Sequence, residues 1–207
     1  MGLRELTTVT TTGLEILLSP LVEDDIERVY ELCQDPQIQH WTTVPSPYPY
    51  SAAEGFVRDY TAPAWRQIDE GSFTTQYPGP ELVWGIRVNK DSALSGLWGC
   101  IGLMLLGEGR VEIGWWLGAE VRQRGIARAA VRTGIEAAFS EEFPIRASCI
   151  VWHAFIGNLA SAALAQRHGF RYTGIVEPDS HLRERSWSAQ LCCGDPIAPR
   201  GDWPDLS

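Results

Sequence analysis

The 207-residue chain has few of the features that mark secreted, membrane-spanning or metal-binding proteins. Its five cysteines, Cys33, Cys100, Cys149, Cys192 and Cys193, are odd in number and form no C-x-x-C pair. We therefore expect neither a disulfide framework nor a zinc site, and predict buried thiols instead. No apolar run approaches the roughly 18 residues of a membrane helix, and the N-terminus does not resemble a signal peptide. These absences predict a cytoplasmic protein without a membrane segment or metal.

Positive charge is scarce, since 26 acidic residues accompany 17 basic ones and the net charge is −9. This balance argues against nucleic acid as the main partner, because a phosphate backbone requires a basic surface. No G-x-G-x-x-G motif follows a strand, which argues against a dinucleotide-binding domain. An acidic protein with a local arginine cluster fits an anionic cofactor at one patch and a cationic substrate elsewhere.

Arginine is concentrated in the segment Val121–Ala130, whose sequence is VRQRGIARAA. The segment follows the apolar run Val111–Gly118, a predicted strand, and leads into a predicted helix from Gly125 to Phe139. A helix N-terminus offers unpaired N–H groups and the positive end of the helix dipole, and glycine lets the backbone approach an anion closely. The segment predicts a phosphate site. The alternative is an amphipathic helix with a solvated basic face.

The rest of the pattern predicts a single α+β domain over residues 1–193. Further strands are predicted at 14–18, 81–88, 97–106, 147–153, 172–176 and 186–192, and further helices at 23–33, 51–60, 64–70 and 158–168. Ser51 and Glu54 form a capping-box pattern, and Pro63 is expected to break or kink the helix. The proline-rich tail, residues 194–207, has little to bury and is expected to be loosely ordered.

Several short motifs stand in a characteristic order: Glu112-Ile-Gly-Trp-Trp-Leu117, Arg122-x-x-Gly125-x-Ala127, Asn158-x-x-Ser161 and His168-Gly-Phe170. Together they resemble the GCN5-related N-acetyltransferase (GNAT) superfamily, in its RimJ/RimL-like branch. The resemblance covers most of the chain. It implies a mainly antiparallel mixed sheet of about seven strands with about four helices, a bulged central strand at residues 115–117, and a monomer or homodimer.

The resemblance also implies that acetyl-CoA, or another acyl-CoA, is the co-substrate. Backbone amides of the arginine-rich loop are then expected to hold the pyrophosphate, and the strand edge at residues 115–117 to pair with the pantetheine arm. Asn158 is a cofactor ligand in this interpretation, or only the N-cap of the following helix. The implied cofactor residues are Trp116, Leu117, Arg122, Gln123, Arg124, Gly125, Ile126, Ala127, Arg128 and Asn158.

The family reaction is direct attack of an amine on a thioester, which needs a neutral amine and a proton for the leaving thiolate. Many relatives have a tyrosine where this chain has Ala165, so Ser161 is the implied proton donor. Alternatively, the Ser161 hydroxyl only forms a hydrogen bond with the backbone at the start of its own helix. Glu112 and His153 are the candidate bases, although a packed histidine is the other interpretation of His153. Because an α-amine near pH 7.5 loses its proton for less than about 1 kcal/mol, absence of a base would favour α-amines over lysine.

Trp41, Tyr48 and Trp65 lie in or near N-terminal segments that, in the resembling family, form one wall of the acceptor site; we select Trp41 and Tyr48 as substrate-binding residues. The segments after Gly174 and before the last strand lack an arginine and an aspartate found in many relatives, which leaves the acceptor open. We predict transfer of acetyl to a peptide or protein N-terminus or a small amine. Alternatives are succinyl or other acyl transfer, modification of an antibiotic-like metabolite, and a non-catalytic acyl-CoA-binding module.

Overall fold

The structure is a computed structural model that describes residues 3–73, 80–89, 92–144, 146–178, 182–196, 198 and 202–206. These residues form one eight-stranded sheet in the order β1-β2-β3-β4-β5-β6-β8-β7. The strands are β1 Leu6–Val9, β2 Glu15–Pro20, β3 Glu81–Val88, β4 Gly96–Gly107, β5 Arg110–Leu117, β6 Cys149–Phe155, β7 Arg171–Val176 and β8 Ser186–Cys192. Only β5 and β6 pair in parallel among these strands.

The predicted α+β class with a mainly antiparallel mixed sheet is confirmed. The structure has one strand more than predicted because β1 is only four residues long and two of them are threonine. Such a short segment carries no clear alternation of apolar and polar residues. The segment forms a strand because it pairs with β2, which its own sequence does not indicate.

Six α-helices pack on the sheet of the described residues. They are α1 Ile26–Leu32, α2 Pro36–Trp41, α3 Tyr50–Gly55, α4 Ala62–Asp69, α5 Ile126–Phe139 and α6 Leu159–Arg167. None of the helices in this part of the chain is long and apolar enough to cross a membrane.

Two hydrophobic cores lie on opposite faces of the sheet, and β3 contributes to both. Leu82 and Trp84 enter the core shared with α5, while Val83 enters the core beneath α1 to α3. Alternate residues of a strand point to opposite faces, and burial of both faces explains why β3 is apolar almost throughout. The α5 residues Ile126, Ala130, Thr133 and Ala137 are all buried.

The helical segment before β3 is continuous, contrary to the predicted break at Pro63. Residues 56–61 form a π-helix that joins α3 directly to α4, with Pro63 in the first turn of α4. Proline is tolerated in the first turn of a helix, where its missing N–H would have no partner within the helix. The π-helix just before it uses backbone hydrogen bonds between residues five positions apart instead of four. The predicted capping box is also wrong, because α3 begins at Tyr50 after Pro49 without a side-chain cap.

The expectation that the chain has no disulfide is wrong as well. Cys149 on β6 and Cys192 on β8 are register partners in the antiparallel pair and are bonded to each other. The two residues are 43 positions apart in the sequence, so only the sheet register brings them together. Cys33 and Cys100 are buried thiols as predicted, whereas Cys193 is exposed.

Part of the described C-terminal tail packs on the domain, although several of its residues are exposed. The Trp203 ring lies 5.7 Å from that of Trp152 and 5.6 Å from that of Tyr172, between centroids. Its indole N–H donates to the carbonyl of Phe170 at 3.3 Å. A single tryptophan thus gives the tail apolar area to bury. Tail residues 197, 199–201 and 207 lie outside the described residues, and the division at residue 194 stays a prediction.

Candidate active site

The parallel strands β5 and β6 separate soon after they begin. Their register pairs Arg110 with Cys149, Val111 with Ile150 and Glu112 with Val151, and ends there. Beyond this point the facing edges of the two strands present backbone N–H and C=O groups to the gap. The opening expected at residues 115–117 therefore exists, but no bulge makes it, because β5 keeps continuous register with β4 from Glu112 to Leu117.

A cavity of about 550 Å³ lies at this opening. Its floor is mainly one face of three adjacent strands, since the floor residues alternate along each strand, with Trp115 of β5 as an additional lining residue. These residues are Glu81 and Val83 on β3, Cys100, Gly102 and Met104 on β4, and Glu112, Gly114 and Trp116 on β5. The walls come from the segment 41–48, from α3 and the π-helix, from β6 and from the start of α6.

The arginine-rich loop ends in a backbone conformation that suits an anion. Gly125 is the N-cap of α5 and has a φ of +77°, a conformation that side chains of L-residues disfavour. Gln123 also has a positive φ, 61°. The first N–H groups of the 14-residue α5 have no partner within the helix. The exposed side chains of Gln123, Arg124 and Arg128 border this helix start.

Two of the predicted cofactor residues have other side-chain roles. The Arg122 guanidinium forms an ion pair with Asp35, and its Nε donates to the carbonyl of Leu117 at 3.0 Å. Arg122 thereby joins the end of β5 to the start of α2. The Ile126 side chain is fully buried, so only its backbone N–H could reach an anion.

Glu112 and His153, the two candidate bases, lie close together on the neighbouring strands β5 and β6. The His153 Nδ1 lies 3.0 Å from Glu112 Oε2. Only 14% of the His153 side chain and 13% of the Glu112 side chain are exposed, and both line the cavity. The relative geometry of the two groups is that of an ion pair rather than of a hydrogen bond, so Glu112 can stabilise a protonated His153.

Ser161 lies in the first turn of α6 and lines the same cavity. The indole N–H of Trp152 donates to its hydroxyl oxygen at 3.1 Å. The serine hydroxyl is therefore oriented by a neighbouring side chain and keeps its own proton available for donation. Asn158 is the N-cap of α6, since its Oδ1 accepts from the Ser161 backbone N–H at 3.2 Å, and it also borders the cavity.

Trp41 and Tyr48 line the cavity as predicted for the acceptor wall, whereas Trp65 does not. Trp41 ends α2 and its ring covers Gly157, where an added Cβ would lie 3.4 Å from Trp41 Cη2. Tyr48 is buried, and burial raises the pKa of its hydroxyl. Trp65 is a core residue whose indole donates to the carbonyl of Val83 at 2.8 Å.

Tyr60 and Glu81 line the cavity and were not predicted from the sequence. The Tyr60 hydroxyl, in the π-helix, donates to Glu81 Oε2 at 2.6 Å, and the Tyr60 ring stacks on Phe56. Partial burial, together with the carboxylates of Glu81 and Glu112, raises the pKa of the Tyr60 hydroxyl. The alternation of β3 could have assigned Glu81 to the face of Val83, but nothing local indicates that Tyr60 reaches it.

No group of three or more histidine, cysteine, aspartate or glutamate side chains within the described ranges could hold a metal ion. The residues that surround the cavity supply carboxylates, hydroxyls, one imidazole and backbone amides.

Comparison with known proteins places this geometry in a family. The acetyltransferase (GNAT) domain matches residues 15–171. A solved structure described as a probable acetyltransferase shares 23% identity at a TM-score of 0.67, covering 89% of this chain and 96% of that one. RimJ of Mycobacterium smegmatis, in complex with CoA-disulfide, shares 14% identity at a TM-score of 0.67, covering 91% and 86%.

The microcin C7 self-immunity acetyltransferase MccE, in complex with acetyl-CoA and AMP, shares 17% identity at a TM-score of 0.65, covering 86% of this chain and 92% of that one. No curated protein sequence matches the chain significantly. At these identities the structural likenesses show the fold, while the family match spans three quarters of the sequence. The chain belongs to the GNAT acetyltransferase family, as its motifs indicated, and is an N-acetyltransferase that uses acetyl-CoA.

Proposed function

We propose that the chain acetylates a primary amine bound in the cavity, with His153 as the base and Ser161 as the proton donor. The observation that carries this proposal is the Glu112–His153 pair beside the gap between β5 and β6, on the cavity that Ser161 also lines. A base with a carboxylate beside it and a hydroxyl held by Trp152 are the two proton-handling groups that the reaction requires.

The residues present fit two parts of coenzyme A: the anionic pyrophosphate, and the pantetheine arm with its amide groups. The backbone amides at the start of α5 suit the pyrophosphate, because Gly125 leaves them without a covering side chain. The separated edges of β5 and β6 suit the amide groups of the pantetheine arm. Acetyl-CoA supplies the thioester that donates the acetyl group. Arg122 positions the loop through Asp35 in this proposal and is not a direct ligand.

The reaction exchanges one bond for another. The amine nitrogen attacks the thioester carbonyl carbon, a C–N bond forms, the C–S bond breaks, and the sulfur leaves with the electron pair. The His153 Nε2 accepts the proton that the amine loses, while Glu112 near Nδ1 stabilises the positive charge of the ring. The Ser161 hydroxyl donates a proton to the sulfur and regains one from solvent, while the protonated His153 releases the proton of the amine to solvent. The products are the N-acetyl amine and coenzyme A.

The described lining of the cavity favours acetyl over succinyl as the donor. A succinyl carboxylate needs a cationic partner, yet none of the described residues that surround the cavity is lysine or arginine. Glu81 and Glu112 would repel it instead. A cytoplasmic location and a monomeric or homodimeric state stay predictions.

The test is steady-state kinetics with acetyl-CoA and succinyl-CoA against a panel of small amines and short peptides. Wild-type protein should release coenzyme A with acetyl-CoA and an amine together. H153Q should lower kcat/KM by about 100-fold or more, as removal of a general base does. E112Q should change the pH dependence of kcat/KM as well as its size, because Glu112 acts through His153. E142Q removes an exposed carboxylate outside the cavity and is the matched control.

Unchanged kcat/KM in H153Q would remove this residue from the mechanism. Binding of acetyl-CoA without turnover of any amine would instead support a non-catalytic acyl-CoA-binding module. Faster transfer from succinyl-CoA would overturn the choice of donor alone.

A further inference from the structure

The C-terminal tail places one aromatic ring behind the proposed proton donor. The ring of Trp203 in the tail contacts that of Trp152 on β6, with 5.7 Å between the ring centroids. Trp152 in turn donates its indole N–H to the hydroxyl oxygen of Ser161 at 3.1 Å. Trp203 does not line the cavity, whereas Trp152 and Ser161 do. Two contacts therefore lead from the tail to the hydroxyl that the proposed mechanism uses.

The sheet leaves room for this ring above a small residue. Trp152 on β6 and Tyr172 on β7 are both register partners of Ala189 on β8, so the three residues form one row across adjacent strands. Side chains of register partners point to the same face of a sheet. Adjacent strands are about 4.8 Å apart, which separates the backbones of Trp152 and Tyr172 by roughly 10 Å. Ala189 is fully buried and has only a methyl group, so it leaves a gap between the two aromatic side chains.

Trp203 fills this gap. Its ring centroid lies 5.7 Å from that of Trp152 and 5.6 Å from that of Tyr172, and both distances are typical of packed aromatic pairs. Its indole N–H donates to the carbonyl of Phe170 at 3.3 Å, just before β7 begins. Although residues 202–206 belong to no helix or strand, Trp203 is thus held by packing and by a hydrogen bond.

Packing holds the Trp152 indole in the orientation in which its N–H reaches Ser161. Trp152 is only 1% exposed, and the Trp203 ring covers it from the tail. Without the Trp203 ring, the space above Ala189 would be empty and the Trp152 indole could turn into it. Its N–H would then leave the Ser161 hydroxyl, because a hydrogen bond weakens steeply as its angle falls below about 120°. A hydroxyl without this partner rotates, and its proton is no longer directed.

From these contacts, and resting on the proposed function, we infer that Trp203 is a positioning residue for acetyl transfer. Trp203 holds the Trp152 indole, and the indole directs the Ser161 hydroxyl toward the sulfur that leaves. Trp203 itself takes no part in the bonds that form and break. Its loss should therefore slow the chemical step while the affinity for acetyl-CoA stays unchanged, because a displaced catalytic group costs rate rather than binding.

The test is a double-mutant cycle of W203A and S161A. It measures kcat with saturating acetyl-CoA and the fastest acceptor of the amine panel, under conditions where chemistry limits turnover. W203A should lower kcat by about 10-fold, and calorimetric titration should give the wild-type Kd for acetyl-CoA. In the S161A background, W203A should lower kcat no further, since the residue that it positions is already absent. A general loss of folded protein would instead lower kcat by the same factor in both backgrounds.

Two further variants complete the set. W203F keeps an aromatic ring in the gap and should recover most of kcat. D202A removes an exposed side chain from the same tail and is the matched control, with wild-type kcat expected. Circular dichroism verifies that each variant is folded. If W203A is not, W203L, which fills part of the gap, takes its place in the cycle.

The outcomes separate this inference from the proposed function. Unchanged kcat in W203A, or the same loss of kcat in both backgrounds, would overturn the role of Trp203 while a lowered kcat in S161A keeps Ser161 as the acid. Unchanged kcat in S161A, or binding of acetyl-CoA without acetylation of any amine, would overturn both.

Discussion

At the scale of single residues, the cavity shows polar atoms whose positions are set by other side chains. Trp152 donates to Ser161, Tyr60 donates to Glu81, and Glu112 lies within ion-pair distance of His153. A group held in this way loses little conformational freedom when the reaction begins, which favours catalysis. The alternative expectation was that Ser161 only satisfies the backbone at the start of its own helix. Its hydroxyl oxygen instead accepts from the indole N–H of Trp152.

Replacement of Ser161 by alanine tests the proton-donor role. S161A should lower kcat by about 10- to 100-fold, because the thiolate must then leave without a positioned acid, while the Kd for acetyl-CoA should change little. The measurement is kcat under conditions where chemistry limits turnover, together with calorimetric titration of acetyl-CoA. S95A removes an exposed serine before β4 and should match the wild type. An unchanged kcat in S161A would exclude Ser161 as the acid.

At the scale of secondary-structure elements, the start of α5 and the gap between β5 and β6 form the proposed cofactor site. Glycine at position 125 serves two purposes there. It adopts the left-handed φ of +77° that ends the loop, and it leaves the first amides of α5 uncovered. The nearest atoms to an added Cβ would be Thr10 Cβ and Thr11 Oγ1, at 3.6 and 3.8 Å, so the constraint is mainly conformational and electrostatic.

Replacement of Gly125 by glutamate should abolish binding of acetyl-CoA while the protein stays folded. The new side chain adds a negative charge at the helix N-terminus, where the pyrophosphate would bind. G71E is the matched control, because Gly71 also has a positive φ, 67°, meets nothing within 4 Å and lies after α4, away from the loop. Calorimetric titration with acetyl-CoA, with circular dichroism to verify folding, measures both variants. Normal affinity in folded G125E would refute the assignment of this loop.

The sequence predicted these elements because their signals are local. A glycine and arginine loop after an apolar strand, and an Asn158-x-x-Ser161 helix start, follow from propensity and spacing alone. The Cys149–Cys192 disulfide and the Tyr60–Glu81 bond depend instead on register between segments 43 and 21 positions apart. The ion pair between Arg122 and Asp35 could not be predicted for the same reason, because the two residues are 87 positions apart.

At the scale of the whole molecule, the protein has a net negative charge, and the cavity is lined by carboxylates as well. The net charge of −9 produces a negative field around the protein, and this field favours approach of a cation over approach of an anion. The arginine-rich start of α5 is a local exception that suits the anionic cofactor. Charge at both scales thus suits the proposed docking of an anionic cofactor at α5 and of an amine in the cavity. The rate of acceptor binding should fall as salt is added, since salt screens the longer-range part of the field.

Global stability should depend on pH through one buried histidine, His168. It ends α6, is only 6% exposed, and its Nε2 has no hydrogen-bond partner among the described residues. Burial, followed by the charges of Arg128 and Arg132, lowers the pKa of His168 from 6.5 to about 4. Between these values the unfolded chain binds a proton that the folded protein does not. The free energy of unfolding is therefore highest above pH 6.5 and should fall as pH drops toward 4.

The expected loss over this range is about 3 kcal/mol from His168 alone, at about 1.4 kcal/mol for each pKa unit. Carboxylates titrate in the lower part of the same range, so the contribution of His168 is the difference in pH dependence between wild type and H168Q. Urea unfolding at pH 7.5, 6.5, 5.5 and 4.5 would measure it. H168Q should be less stable at pH 7.5. Its free energy of unfolding should fall less than that of the wild type as the pH drops, because glutamine does not bind a proton on unfolding. H40Q removes an exposed histidine and should keep the wild-type slope. Equal slopes in H168Q and the wild type would mean that His168 accepts its proton without cost to the fold.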